Sequence, residues 1–252
     1  MVTEILHIPL DRELGERSRW LIKMRWPVVG FALVLVLVTH YLLHVALPLA
    51  ALGITLGAVL LYNAIFWVIA HRLTSRTAPR DTHALLIYMQ LAADLVAFSL
   101  VLHFSGGLEN PFAYYYVLLV LVASVLTTRR ASLLYALAAG ILWILLICGE
   151  ALGILPHYNL AGYRLPGRYT EPSHIISISV VLLSLNLIVA FFTSGIISRL
   201  REGEHQLFEA DRSCELRAGE LARLNKQLTE LDRSRSMFIR LVTHELRAPV
   251  AA

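Results

Sequence analysis

The chain has 252 residues, of which 57% are hydrophobic and 16% are charged, and its formal net charge is +4. Soluble domains carry about 25% charged residues, so this composition argues against a soluble enzyme and favours an integral membrane protein. The two cysteines, Cys148 and Cys214, exclude a disulfide framework and have no zinc-site spacing, so no metal site is predicted. We expect no nucleic-acid partner, because membrane topology explains the positive residues.

The first 26 residues are polar and contain five positive residues: Arg12, Arg17, Arg19, Lys23 and Arg25. No short apolar stretch with a small-residue cleavage site precedes the first long apolar run, which is unlike a cleavable signal peptide. We therefore predict a cytoplasmic N-terminal segment at residues 1–26, followed by a first span that stays in the protein as a signal anchor.

Six apolar runs follow, and each is long enough, the fourth only just, to cross the roughly 30 Å hydrocarbon layer of a bilayer. The runs cover residues 27–46, 48–70, 84–104, 112–128, 132–154 and 174–197. Inside lipid a backbone must satisfy its own hydrogen bonds, so these runs are predicted to be helices. The predicted fold is all-α, with a polytopic six-helix transmembrane bundle at residues 27–197.

Positive residues are concentrated on one side of the predicted spans. The connections on the side of the N-terminus contain Arg72, Arg76, Arg80, Arg129, Arg130, Arg199 and Arg201. On the opposite side they occur in one connection, as Arg164 and Arg168. The positive-inside rule therefore places both termini in the cytoplasm and the spans among the lipids of the plasma membrane.

A few polar residues interrupt the spans, where a buried charge costs at least about 2.5 kcal/mol. Asp94 lies near the middle of the third span. It is either a functional residue or a packing carboxyl that bonds to one of three residues: Asn63, Gln90 or Asn186. Glu150 lies near the outer end of the fifth span, where we expect water to solvate it. Three histidines near the outer ends are scattered singly, so we do not expect them to bind metal: His40, His44 and His103.

A seven-residue repeat follows the sixth apolar run, in a segment rich in Glu, Arg and Gln. With position a at Leu200, ten of the thirteen a and d positions up to Val242 are apolar, counting Ala210 and Cys214. This pattern predicts a cytoplasmic parallel coiled coil at residues 198–236, and hence a homodimer. The alternative is a single amphipathic helix that lies on the membrane or on the body of the protein.

Cys214 falls at an a position, where it would face the same residue of a second copy. Cα separations in such a seam are compatible with a disulfide, which in the cytosol would be transient and regulatory. Cys214 is therefore a candidate redox residue. The alternative is that it acts as a small hydrophobic residue that fills the seam.

The segment after the coiled coil reads Ser-Met-Phe-Ile-Arg-Leu-Val-Thr-His-Glu-Leu-Arg-Ala-Pro-Val. It resembles the H-box of bacterial sensor histidine kinases in Phe238, His244-Glu245-Leu246-Arg247 and Pro249. The resemblance implies that residues 237–252 begin a dimerisation and phosphotransfer domain. It also implies that His244 accepts phosphate from ATP while Glu245 orients the imidazole. Ala248 departs from the Thr or Asn that many members carry to help dephosphorylate the partner.

A second resemblance lies between the third and fourth apolar runs. The sequence Gly106-Gly107-Leu108-Glu109-Asn110-Pro111-Phe112 is similar to the Gly-Gly-x-x-Asn-Pro-Phe segment of the RegB/PrrB redox-sensing kinases. In that family the segment lies in a six-helix sensor and is linked to ubiquinone binding. The resemblance implies a quinone site formed by Gly106, Gly107, Asn110, Pro111 and Phe112.

The residues of this segment support two interpretations. Two glycines allow a ligand to approach the backbone closely, Asn110 offers an amide donor, and Phe112 offers a flat ring to a quinone head. The alternative is a tight turn in which Gly, Asn and Pro serve only the backbone geometry.

Together the two resemblances predict a sensor histidine kinase of the bacterial inner membrane. Quinone redox state would control phosphorylation of His244, and an aspartate of a response regulator would then take the phosphate. ATP and Mg would bind a catalytic domain whose motifs do not occur before Ala252, so we expect a truncated chain that is inactive alone. The alternatives are a non-enzymatic membrane receptor and a polytopic transporter, which would need several inward-facing polar groups in different spans.

Overall fold

The computed structural model describes residues 8–74, 80–158 and 170–250, and it describes side chains at residues 15–73, 82–158 and 170–242. Regular secondary structure within these ranges is helical, which confirms the all-α prediction. The chain divides into two units, Met1–Ile197 and Ser198–Ala252.

The described helices follow the order of the apolar runs. Helix α1 spans Ile8–Leu37 and continues into a π-helix at Val38–Leu42; α2 spans Leu49–Thr74, α3 Arg80–Phe104, α4 Tyr116–Leu126, α5 Arg129–Ala151 and α6 Pro172–Val250. Two 3₁₀ turns, Gly107–Glu109 and Pro111–Tyr115, connect α3 to α4.

Five helices in the described ranges are long and apolar enough to cross a membrane, and the apolar stretch Pro111–Leu126 is shorter. This stretch joins a 3₁₀ turn of 5 residues to the 11 residues of α4. The expected rise is about 27 Å, slightly less than the roughly 30 Å hydrocarbon layer. The short stretch is the fourth predicted span, and a total of six crossings stays a prediction.

Helix α1 begins well before the predicted first span at residues 27–46. It contains Pro27 without ending there, and its candidate membrane span is Gly15–Leu42. Arg25, which we predicted to lie in a cytoplasmic segment, is 6% exposed inside the bundle. A search for uncharged runs ends a predicted span at such a residue, because the search does not detect a compensating charge in another helix.

The helices of the first unit pack around several apolar cores. One joins α1, α2 and α3 through Ile22, Phe66 and Leu86. The largest joins α3, α4, α5 and α6: Leu95, Leu102, Tyr116, Val120, Trp143, Ile147 and Leu182. Many large apolar side chains remain on the outside of the bundle, as lipid contact requires.

The side chain of Leu183 of α6 packs directly on Gly140 of α5. A Cβ atom at this position would lie 2.5 Å from Cδ1 of Leu183, well inside van der Waals contact. Glycine at position 140 therefore leaves room for the Leu183 side chain, and small residues are common where helices pack in lipid.

In the second unit, the described residues belong to α6, and their apolar side chains are exposed. Leu207, Leu221 and Leu228, all at predicted a positions, are 72%, 66% and 65% exposed. The helical backbone includes positions 244 and 245, but the side chains of His244 and Glu245 lie outside the described residues. The coiled coil stays a prediction.

Candidate functional site

The segment from Ser105 to Phe112, here called the 105–112 turn, connects α3 to α4. Gly106 and Gly107 have φ values of 106° and 50°, which glycine adopts without strain. The Asn110 amide nitrogen donates to the carbonyl of Ser105 at 2.9 Å and to its hydroxyl at 2.6 Å. The Asn110 Oδ1 accepts from the Phe112 backbone N–H at 2.9 Å. Asn110, predicted as a donor to a ligand, therefore uses its amide within the turn.

Glu150 of α5 packs directly against this turn. A Cβ atom at Gly107 would lie 2.6 Å from Oε1 and 2.7 Å from Cδ of Glu150, so the carboxylate fills the space of a side chain. Glycine is thus needed at position 107 for space as well as for backbone conformation. Glu150 is 2% exposed, so the expectation that water solvates it is wrong.

Two histidines and a second glutamate surround the Glu150 carboxylate. His103 Nδ1 lies 2.8 Å from Oε1 of Glu150, and His157 Nδ1 lies 2.8 Å from its Oε2. His157 Nε2 faces Glu109 Oε2 at 3.9 Å. Glu109 Oε1 is buried with no hydrogen-bond partner among the described residues. These four side chains, at most 8% exposed, form what we call the carboxylate–histidine cluster.

The cluster brings together residues that sequence reasoning treated separately. His103 was expected to be an isolated histidine, and this is wrong because α3 and α5 place it beside Glu150. One feature of the sequence could have predicted this grouping. The cluster residues all lie at or just beyond the outer ends of predicted spans: His103, Glu109, Glu150 and His157. In the described part of the chain, no group of three or more His, Cys, Asp or Glu residues has the arrangement of a metal site.

An apolar cavity of about 390 Å³ lies between α1 and the helices α2, α3 and α4. The 105–112 turn forms its wall at one end, through Pro111 and Phe112, and Arg25 lines the other end. Residues of α1 from Trp20 to Val36 line the cavity, a length of about 24 Å at 1.5 Å per residue. Sequence reasoning gave no indication of this cavity, because it depends on the packing of four elements.

A polar network occupies the Arg25 end of the cavity. The Arg25 guanidinium donates from Nε and Nη2 to the two carboxylate oxygens of Asp94, at 2.7 and 2.8 Å. Its Nη1 donates to Asn63 Oδ1 and Gln90 Oε1, both at 3.1 Å. The Tyr62 hydroxyl donates to Asp94 Oδ1 at 2.7 Å. Asp94 is therefore bonded to an arginine and a tyrosine, whereas Asn63 and Gln90, two of its predicted partners, contact the arginine instead.

The remaining predicted residues have different positions. Asn186, the third predicted partner of Asp94, is buried, and its amide atoms have no hydrogen-bond partner in the ranges described. Asn110, Pro111 and Phe112 line the cavity, while Gly107 faces Glu150 on the other side of the turn. Cys214 is exposed on α6.

Comparison with known proteins identifies the family of this chain. The PilS-like transmembrane domain matches residues 10–207. A curated relative, the sensor histidine kinase RegB of Cereibacter sphaeroides, is 34% identical over 127 residues, which is 50% of this chain and 26% of the relative. The chain thus covers about a quarter of the length of that relative, and no solved structure matches. Because the domain match includes most of the chain, the protein is a multi-pass membrane protein that belongs to the PilS-like transmembrane domain family.

Proposed function

We propose that this chain is the membrane sensor of a histidine kinase and that it binds quinone in the cavity beside the 105–112 turn. The observation that carries the proposal is the cavity, which is apolar along α1 and bounded by a turn whose sequence resembles a quinone-linked segment. The relative named as a sensor histidine kinase supports the kinase part of the proposal. Identity over half of this chain is consistent with a shared sensor region.

The cavity suits the two chemical parts of a quinone. Its volume of about 390 Å³ is within the usual range for small ligands, roughly 300–1,000 Å³. The rings of Phe112 and Tyr115 meet edge to face, with centroids 5.2 Å apart, and would contact a flat quinone ring. The isoprenoid tail would lie along the apolar side chains of α1, from Val36 toward Trp20.

Thr39 is our candidate for the hydrogen bond to a quinone carbonyl. It lines the cavity within the π-helix Val38–Leu42, and π-helical turns occur often at functional sites. Because the Asn110 amide is used within the turn, Asn110 and the two glycines would act as positioning residues. Phe112 and Thr39 would contact the ligand.

Signalling requires that quinone binds two arrangements of the bundle with different affinities. A tenfold preference supplies about 1.4 kcal/mol, so the two arrangements must be nearly equal in free energy. We propose that α6 carries the change toward His244. Glu245 would orient the imidazole, a catalytic domain of the whole kinase would supply ATP and Mg, and a response regulator would take the phosphate.

The same proposal includes a parallel homodimer. Leu207, Leu221 and Leu228 are all more than half exposed on α6, and a second copy would bury this stripe. At about 25 cal/mol per Å² of apolar area, such burial is the main source of coiled-coil stability. Cys214, which is exposed in the same stripe, would then meet its counterpart in the second copy.

Quinone binding can be tested directly in lipid nanodiscs. Titration with an oxidised short-chain ubiquinone, read by equilibrium dialysis against protein-free nanodiscs, should show saturable binding to the protein. Ala32→Phe fills the cavity and should raise the Kd at least about tenfold, equivalent to 1.4 kcal/mol. Thr39→Val, which keeps the shape and removes the hydroxyl, should raise it by a smaller factor.

Leu33→Phe is the matched control for nonspecific partition of quinone into lipid. Leu33 is on the same helix, is 47% exposed and does not line the cavity, so the Kd of this variant for quinone should equal that of the wild type. Equal Kd values for the Ala32, Leu33 and wild-type proteins would remove the site. In a full-length kinase, quinone-dependent autophosphorylation should follow the same order.

A further inference from the structure

The proposed quinone site leaves the carboxylate–histidine cluster without a role. The cluster lies on the opposite side of the 105–112 turn from the cavity. Pro111 and Phe112 line the cavity, whereas Gly107 contacts Glu150 of the cluster and Glu109 belongs to the cluster. The turn is therefore a wall shared by the two, and a change of contacts in the cluster reaches the cavity through a few backbone bonds.

The charge of the cluster depends on its bound protons. Its four side chains comprise two carboxylates and two imidazoles, all at most 8% exposed. With ionised carboxylates and neutral imidazoles the cluster carries two negative charges, and with two imidazolium rings it is neutral. Burial of uncompensated charge is costly, and imidazoles generally change charge between about pH 5 and 8. The two contacts with Glu150 suit a neutral or a protonated ring, because Nδ1 can donate in both, and the contact between His157 and Glu109 suits the protonated form.

The contact between His157 and Glu109 depends most directly on a proton. His157 Nδ1 lies 2.8 Å from Glu150 Oε2, so this nitrogen acts as the donor. In a neutral ring, Nε2 then presents a lone pair to Glu109 Oε2 at 3.9 Å, and the two groups repel. A proton on either group converts this repulsion into an attraction, and a closer approach of the two side chains would then complete a hydrogen bond.

The titratable groups that face the cluster come from every described element around it. Helix α3 contributes His103, the turn contributes Glu109, and α5 contributes Glu150. The segment after α5 contributes His157 and also Tyr158, whose ring meets His103 edge to face at 5.5 Å. Two arginines of the same connection lie outside the described residues: Arg164 and Arg168.

We infer that the carboxylate–histidine cluster is a proton-binding site whose occupancy stabilises the 105–112 turn and strengthens quinone binding in the adjacent cavity. The identification of the ligand as quinone rests on the proposed function. Linkage is reciprocal, so quinone binding would in turn draw protons from solution. The sensor would then respond to proton concentration together with quinone.

The first test is the pH dependence of quinone affinity in nanodiscs. Oxidised ubiquinone has no ionisable group, so a change in its Kd reports on the protein. We expect binding to be about tenfold weaker at about pH 8 than at about pH 6, as linkage to one proton allows. Glu109→Gln should bind equally at both values, because its amide donates to the neutral Nε2 of His157 at any pH.

His44→Asn is the matched control. His44 is an exposed histidine outside the cluster with φ of 54°, a conformation that Asn tolerates, so this variant should keep the wild-type pH dependence. A wild-type Kd that is equal at both pH values would overturn the inference. Loss of the pH dependence in His44→Asn would overturn it as well, because the proton would then bind elsewhere.

A second measurement needs no ligand and separates this inference from the proposed function. Hydrogen exchange of the amides of the 105–112 turn, corrected for the intrinsic effect of pH, should show less protection at pH 8 in wild type and no such loss in Glu109→Gln. This result without quinone binding at either pH would remove the proposed function and retain the proton site. Equal protection at both pH values in wild type would overturn the proton site.

Discussion

Asp94 accepts two hydrogen bonds from a single guanidinium, that of Arg25, at 2.7 and 2.8 Å. The pair joins α1 to α3 within membrane-spanning helices, where an isolated charge is costly. Arg25 Nη1 also donates to Asn63 and Gln90, so the two charges compensate each other and the guanidinium is further hydrogen-bonded within the bundle. This arrangement explains why a positive residue persists inside the first long apolar helix.

Removal of one partner of this pair should destabilise the bundle strongly. Asp94→Leu leaves the Arg25 charge buried without its counter-charge, and we expect a loss of about 3–5 kcal/mol in the free energy of unfolding. The double variant Arg25→Met/Asp94→Leu should recover most of this loss, because no charge remains buried. SDS-induced unfolding in mixed micelles measures both. Arg19→Met, an exposed position on the same helix, is the control, and an Asp94→Leu protein as stable as wild type would contradict the prediction.

Gly107→Ala should disrupt the 105–112 turn more than its backbone conformation alone predicts. Gly153 is the matched control, because it also has positive φ, 74°, but a Cβ atom there meets nothing within 4 Å. Gly153→Ala should therefore cost only the left-handed strain, about 1–2 kcal/mol. Gly107→Ala adds the collision with Glu150, so its loss of unfolding free energy, measured by the shift in Tm, should be at least about twice as large. Equal shifts in Tm for the two variants would show that the carboxylate does not occupy this space.

The contact between Leu183 and Gly140 predicts a specific suppressor. Gly140→Ala brings a methyl group against Leu183 and should destabilise the protein by about 1–3 kcal/mol, the usual effect of overpacking. Leu183→Ala in the same chain should relieve the collision, so the double variant should be more stable than the sum of the single changes. Gly57→Ala, where no atom lies within 4 Å, should be neutral or slightly stabilising. Additive effects of the two changes in the unfolding measurement would argue against the contact.

Mild oxidation should link two copies of the chain through Cys214 if α6 forms a parallel dimer. Facing a positions bring Cα atoms within disulfide range, about 4.4–6.8 Å. Non-reducing gels of oxidised membranes should show a dimer band for wild type and none for Cys214→Ser. Arg212→Cys in the Cys214→Ser background places the thiol at an outward f position and should give far less dimer. Equal bands from the two cysteine positions would contradict the predicted seam.

The sequence alone determined the helical class, the multi-pass membrane location and the turn at residues 106–112. These properties are local. A backbone in lipid must satisfy its hydrogen bonds within each helix, so the length of an apolar run is sufficient to predict a spanning helix. The glycines, Asn110 and Pro111 likewise specify a turn through their own backbone preferences, which the structure confirms with φ of 106° and 50° at Gly106 and Gly107.

Only the tertiary structure decided which polar groups meet. Arg25 and Asp94 are 69 residues apart in the chain, and His103 and Glu150 are 47 apart. Hydropathy assigns each of these residues its own free-energy cost of burial in lipid. It therefore predicted that Arg25 lies in a cytoplasmic segment and that water solvates Glu150. In the fold each cost is offset by a partner from another helix, and the same helix packing that unites these partners creates the cavity and the cluster on the two sides of one turn.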